Sequence, residues 1–199
     1  MLNNLLISLR GKSERDQLEL VNMFFNSNIL YSSDLKTWGV SEYWATREEL
    51  LQRKAGDCED YAIAKYYTLI DAGIQEEKLK LLYCRQIPNS AHMVLLYCDS
   101  EILVLDNSID NILSLIDRSD LTPILGFNFT GIWTFKRDEM KLVTTNSKKL
   151  VKWRQFQEKL IRSDMGALYW RRPTKKPEHA AVQAGRRLTI PCILWWGSQ

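Results

Sequence analysis

"GDCEDYAIAKYYTLIDAG", residues 56–73, opens on a cysteine set among carboxylates and closes on a glycine. Asp57 is a good N-cap, Asp60 falls at the N3 position and Gly73 is a natural stop, so the stretch predicts a helix. Cys58, Ala62, Tyr66 and Leu69 share one face of it, which makes this helix mostly buried. Two acids beside a thiol should hold it protonated, so the same stretch raises a chemical question. Either Cys58 is a small buried hydrophobe, as most free cysteines are, or something offsets the negative charge around it.

Working outward, residues 13–26 place Leu18, Val21, Phe24 and Phe25 at helical spacing. Thr46, with Glu49 three residues on, predicts a capping box at the start of a short helix. Three strand-like runs follow the central helix: "LKLLYCRQI" (79–87), "HMVLLYC" (92–98) and "ILVLDN" (102–107). The second and third should pair antiparallel across a turn within 97–102, and "FNFTGIWTF" (127–135) reads as a further strand or pair of strands. From 147 to 163, Leu150, Trp153, Phe156 and Leu160 recur at helical spacing among Lys and Arg. A helix docked on the sheet with a basic outer face is expected there, a membrane-surface helix being the alternative. Helices, a buried helix and then an antiparallel sheet make the fold class α+β. Residues 1–163 read as one domain, and 164–199 as a basic, disordered tail of no assigned role.

The 199-residue chain is 45% hydrophobic and 26% charged, with a net charge of +3. After residue 163 there are six basic against two acidic residues, leaving 21 basic and 22 acidic before it. The body is therefore neutral, which argues against a nucleic-acid-binding surface. Four cysteines (Cys58, Cys84, Cys98, Cys192) lack the spacing of a zinc site, and the two histidines, His92 and His179, are too few for a multi-histidine metal centre. Cys84 and Cys98 read as buried thiols rather than a disulfide. No apolar run reaches a membrane span, and no export signal is recognisable at the start.

A thiolate nucleophile needs a histidine to take its proton and a third group to orient the ring. The first turn of a helix favours the thiolate through the macrodipole and its free N–H groups. His92, the one histidine within the body, begins a strand, and Asp106 ends the next. A register that pairs His92 with Asp106 also pairs Val94 with Val104 and Leu96 with Ile102, leaving a turn of three or five residues. The two side chains then lie on one face at the open end of the hairpin.

"EYWAT", "DCEDYAIAKYYTL", "AHMVLLY", "LVLDN" and "GIWTF", in this order over about residues 21–135, resemble the bacterial transglutaminase-like cysteine proteinases of the LapG type. The resemblance implies a papain-like protease with a transglutaminase-core fold, Cys58 as nucleophile, His92 as base and Asp106 as orienting group. It further implies a Ca²⁺ ion held by Asp57, Glu59 and Asp60. Three carboxylates within four residues suit a hard dication, while helix capping alone would account for Asp57 and Asp60 but not Glu59. Periplasmic residence is implied, as is a protein substrate, a large surface adhesin clipped near its N-terminus to disperse biofilm. A membrane-bound cyclic-di-GMP receptor that sequesters the enzyme is implied as an inhibitory partner. "EYWATR" departs from the family in Glu42 and Arg47, where Asp and Pro are usual. A transglutaminase or amidase would use the same triad, and a calcium-dependent binding module without catalysis would keep the acidic cluster alone.

Overall fold

Seven strands form one antiparallel sheet, and the helix that starts at Cys58 packs against its middle. The computed structural model describes residues 1–136 and 139–162. Two helices, α1 (Leu2–Ser8) and α2 (Glu14–Asn28), come first, the second capped by Ser13, whose hydroxyl accepts from the Asp16 N–H at 3.2 Å. A two-residue strand, β1 (Leu30–Tyr31), then pairs in parallel with β2 (Ala55–Gly56). Between them lie α3 (Asp34–Trp38) and α4 (Arg47–Arg53), the latter opened by the expected Thr46–Glu49 capping box. The central helix α5 (Cys58–Ala72) ends at Gly73, whose φ of +103° gives the left-handed stop that a side chain would oppose.

The large sheet runs in the order β6-β5-β4-β3-β7-β8-β9. Its strands are β3 (Leu79–Gln86), β4 (Ser90–Cys98), β5 (Ile102–Leu105), β6 (Leu113–Ser114), β7 (Leu121–Phe127), β8 (Ile132–Lys136) and β9 (Glu139–Thr144). Both faces of β3 and β4 are covered. Leu81, Met93, Leu95 and Tyr97 pack with α2 and α5 residues such as Phe25, Ile63 and Tyr66, while Leu82, Val94, Leu96 and Val104 form a second cluster. Burial on both faces explains why these runs read as continuous apolar segments rather than alternating ones.

The β4–β5 hairpin differs from the expected register by two residues. Leu96 pairs with Val104 and Cys98 with Ile102, leaving Asp99–Glu101 as a three-residue turn. A shift of two keeps every side chain on its face, so His92 and Asp106 still share one. They meet diagonally rather than directly opposite. The segment "FNFTGIWTF" divides into the end of β7, a turn and β8. Asn128 organises that turn, its Oδ1 accepting from the N–H groups of Thr130 and Gly131 and its Nδ2 donating to the Leu79 carbonyl at 2.9 Å. The strand β7 itself was not expected. Pro123 sits within it, beside the β3–β7 register shift between Tyr83 and Cys84 and at a position that β8 does not pair.

The last described element is α6 (Val151–Arg162), with Trp153, Phe156 and Leu160 buried. The Trp153 ring lies 5.1 Å from Phe129 and 5.4 Å from Phe127, so the apolar face of the helix is occupied by this chain's own sheet. That is the docked helix, with its basic residues outward. The tail expected from residue 164 lies outside the described residues. Trp153→Ala should lower stability by about 3–5 kcal/mol, the usual range for deleting a buried Trp, measured by urea denaturation. A loss below about 1 kcal/mol would show that α6 is not part of the core.

Candidate active site

Cys58 is the first residue of α5, delivered there by the β1–β2 pair that ends at Gly56. Gly56 is required by contact rather than by conformation: a Cβ there would lie 2.5 Å from Asp60 Oδ2 and from Leu50 Cδ1. The thiol is half-buried and donates to Glu59 Oε2 at 3.2 Å. Burial, then the charge and hydrogen bond of Glu59, push the Cys58 thiol well above its ordinary value. A backbone hydrogen bond from Met93 acts in the opposite direction and sets the sulfur beside the residue that follows His92.

His92 is buried on β4, and its Nε2 lies 2.9 Å from Asp106 Oδ1. That contact leaves Nδ1 as the ring nitrogen turned away from the carboxylate. Asp106 is 1% exposed, just past the end of β5, and every side of its carboxylate is engaged. Oδ1 also accepts from the Ser108 N–H at 2.9 Å, and Oδ2 accepts from Arg118 at 2.8 Å. Burial alone would raise the Asp106 carboxyl, but His92, Ser108 and Arg118 outweigh it and hold the group well below the usual carboxylate range.

Arg118 was not found from the sequence. It is 2% exposed and spans Asp106 and Asp120, donating to both Asp120 oxygens at 2.8 Å. No local pattern announces it, since it follows a short turn and its partner lies 12 residues upstream. An isolated arginine in a polar stretch ordinarily reads as solvated surface.

The acidic residues around Cys58 separate into two roles. Asp34, Asp57 and Glu59 each present an oxygen, all within 4.8 Å of one another. Asp57 occupies the N-cap position of α5 without a side-chain capping bond, and its Oδ1 is buried without a partner, as is Asp34 Oδ1. Burial, followed by the charges of Glu59, Asp60 and Asp34, raises the Asp57 carboxyl to about 9. Asp60 adds a third buried oxygen without a partner, its Oδ2, while its Oδ1 is engaged. It is fully buried and accepts from the Ala45 N–H at 2.7 Å, with burial lifting it to about 7. The sequence reading named Asp57, Glu59 and Asp60, and the structure adds Asp34 to Asp57 and Glu59 in the tightest group. A two-residue strand has no periodicity to read, and it is β1 that carries Asp34 in.

Unpartnered, mutually repelling carboxylate oxygens at this density fit a hard dication, which favours oxygen ligands and gains from each added carboxylate. Capping alone does not explain them, because Asp57 does not cap. The two departures at the neighbouring loop are also accommodated. Glu42 pairs with Lys152 at 3.0 Å, and Arg47, 3% exposed, pairs with Asp71 at 2.7 Å.

A family profile described as bacterial transglutaminase-like cysteine proteinase matches residues 7–120. Among solved structures, EGTA-treated LapG of Legionella pneumophila is similar at 38% identity and a TM-score of 0.69, covering 80% of this chain and 86% of that one. Calcium-bound LapG of the same organism is similar at 36% identity and a TM-score of 0.69, covering 80% and 87%. No curated protein sequence matches significantly.

Removing Arg118 would leave Asp106 buried with one fewer donor. Arg118→Met should destabilise the protein by about 3–5 kcal/mol near neutral pH, as expected for breaking a buried ion pair. Asp106 has a depressed folded-state value, so its contribution is present above about pH 4 and lost as pH falls through that folded value. The gap between variant and wild type should therefore narrow below about pH 4. Denaturation curves across pH 2–7 check it, and a gap below about 1 kcal/mol at neutral pH would contradict the role given to the Arg118–Asp106 pair.

Proposed function

The chain belongs to the bacterial transglutaminase-like cysteine proteinases, and from that membership we propose how its residues divide the cleavage of a peptide bond. It is a cysteine protease with a transglutaminase-like fold. Cys58 is the nucleophile, His92 the base and Asp106 the group that orients the ring. The observation that carries this reading is the buried contact of 2.9 Å between His92 Nε2 and Asp106 Oδ1, on the strand that meets Cys58 through Met93.

His92 takes the thiol proton on Nδ1 as Sγ attacks the scissile carbonyl carbon, and Asp106 stabilises the imidazolium. The ring then gives that proton to the departing amine as the C–N bond breaks, leaving the acyl group on Sγ as a thioester. Water, deprotonated by the same ring, attacks the thioester carbon; the C–S bond breaks, the acyl group leaves as a carboxylic acid and the ring returns its proton to Sγ. The first N–H groups of α5, which the Asp57 side chain does not cap, are available to the oxyanion.

Calcium is the cation we assign to Asp34, Asp57 and Glu59. LapG of Legionella pneumophila has a calcium-bound form, and the unpartnered carboxylate oxygens of this chain suit the ion. When bound, it would supply positive charge beside the thiol and offset the acids that hold Cys58 protonated. Asp60 fixes the backbone at Ala45 through Oδ1, and its unpartnered Oδ2 keeps it among the residues that would support the ion.

The substrate we assign is the N-terminal region of a large bacterial surface adhesin, cut in the periplasm to release it and disperse biofilm. A membrane-bound cyclic-di-GMP receptor would restrain the enzyme. The support is the likeness to LapG over 80% of the chain. None of the described helices is long and apolar enough to cross a membrane.

Incubation with an adhesin N-terminal fragment should give cleavage in calcium, none in excess chelator, and recovery when calcium is restored. Magnesium should substitute poorly, because it keeps its waters and demands a tighter octahedron. Cys58→Ala should abolish cleavage while still binding calcium. Cleavage by that variant, or an unchanged rate in chelator, would overturn the respective assignment. Asp34→Asn should weaken calcium binding by calorimetry and reduce the calcium-dependent rise in melting temperature. A thermal shift equal to the wild type would remove Asp34 from the ligand set.

A further inference from the structure

Seven residues beyond Cys58, on the same helix, lies a cation that the chemistry above does not use. Lys65 is 0% exposed, and its ammonium forms no ion pair among the described residues. Its hydrogen-bond partners are two neutral amides on α2, Asn22 Oδ1 at 2.7 Å and Asn26 Oδ1 at 2.8 Å, and it lies 5.7 Å from the centre of the Tyr61 ring. Burial lowers the lysine to about 7, opposed by the nearby charges of Asp106 and Asp110. Burying an ammonium on neutral partners costs stability that a methionine of similar size would not. Packing therefore does not account for it.

The hydrogen bonds on the far side of the two asparagines do. Asn26 Nδ2 donates to the backbone carbonyl of Asp106 at 2.9 Å and to Asp110 Oδ1 at 3.0 Å. Asn22 Nδ2 donates to the backbone carbonyl of Asp110 at 2.8 Å. An ammonium has three donors and no acceptor, so it holds both amide oxygens toward itself. Both NH₂ groups are thereby aimed at the 106–110 segment. With either amide turned over, donor would face donor at Lys65 and acceptor would face acceptor at the loop.

We propose that Lys65 is a positioning residue for the active site: through Asn22 and Asn26 it fixes the backbone at Asp106, and with it the carboxylate that orients His92. Helix α5 then sets two quantities at once. Its first residue supplies the nucleophile, and its Lys65 fixes the place of the aspartate that orients the base. The inference rests on reading Cys58, His92 and Asp106 as the triad.

The test measures kcat and KM for cleavage of the adhesin fragment by Lys65→Met, in the wild-type and in the Asp106→Asn backgrounds. Misplacement by about 1 Å is worth on the order of a hundredfold in rate, so kcat should fall about 10- to 100-fold with KM unchanged. In the Asp106→Asn background the same substitution should change kcat less than about twofold, because the group it positions has already lost its charge. Equal losses in both backgrounds, or no loss in either, would overturn the proposal. Should Lys65→Met fail to fold, Asn26→Asp decides instead. It keeps an acceptor for Lys65 but removes the donor to the Asp106 carbonyl, and should show the same background-dependent loss. A Cys58→Ala control separates the two failures. If that variant still cleaves, the triad reading falls and this inference with it. If it is inactive while Lys65→Met and Asn26→Asp keep full kcat, only the inference falls.

Discussion

Asp106 is a carboxylate withdrawn from water, and the structure around it is organised by the need to satisfy it. The donors come from separate parts of the chain: His92 on β4, the Ser108 N–H in its own turn, and Arg118 beyond β6. Its backbone carbonyl is held in addition by Asn26 of α2. A buried charge without such partners would neutralise itself by taking a proton. With them it stays ionised, and a histidine placed against it acquires a fixed ring orientation. The helices, the hairpin and the turn before β7 are thus tied together at one side chain.

The carboxylates beside Cys58 present the opposite condition. Asp34 is buried and Asp57 half-buried, but each leaves an oxygen with no donor, and burial followed by the charge of Glu59 favours their protonation. One anionic site is complete within the protein, and the other is complete only with a positive charge from outside. This asymmetry lets the thiol's ionisation depend on a diffusible ion while the histidine's orientation does not. Cys58 is joined to the second of these sites by its hydrogen bond to Glu59.

The parts of this design that were legible in the sequence are those with a local signature. Thr46 with Glu49, and Gly73, marked helix ends through caps that depend on only a few neighbouring residues. The α5 face and the continuous apolar runs of β3 and β4 followed from burial on one or both sides. The β4–β5 pairing was legible in parity but not in register, because a shift of two costs no change of face. What escaped notice was assembled by distant contacts. Arg118 acquires its meaning from Asp106, and Asp34 from a two-residue strand pairing. The strand β7 contains a proline beside its register shift against β3, at a position that β8 does not pair. Lys65 carried helical spacing like its neighbours, and nothing local distinguished it from a solvated lysine.

The short parallel pair of β1 and β2 has a mechanical meaning as well as a chemical one. It brings residue 34 next to residue 57, so an ion shared by Asp34, Asp57 and Glu59 would act as a crosslink that closes the intervening loop. Closing a loop of this length removes chain entropy from its open forms, by an amount that grows only slowly with length. The loop holds α3, the Tyr43–Trp44 segment and α4, of which α3 packs on β2 and α4 on β2 and α5. Chelation would then loosen one contiguous stretch while leaving the sheet untouched, and amide exchange would quicken between residues 34 and 57 first.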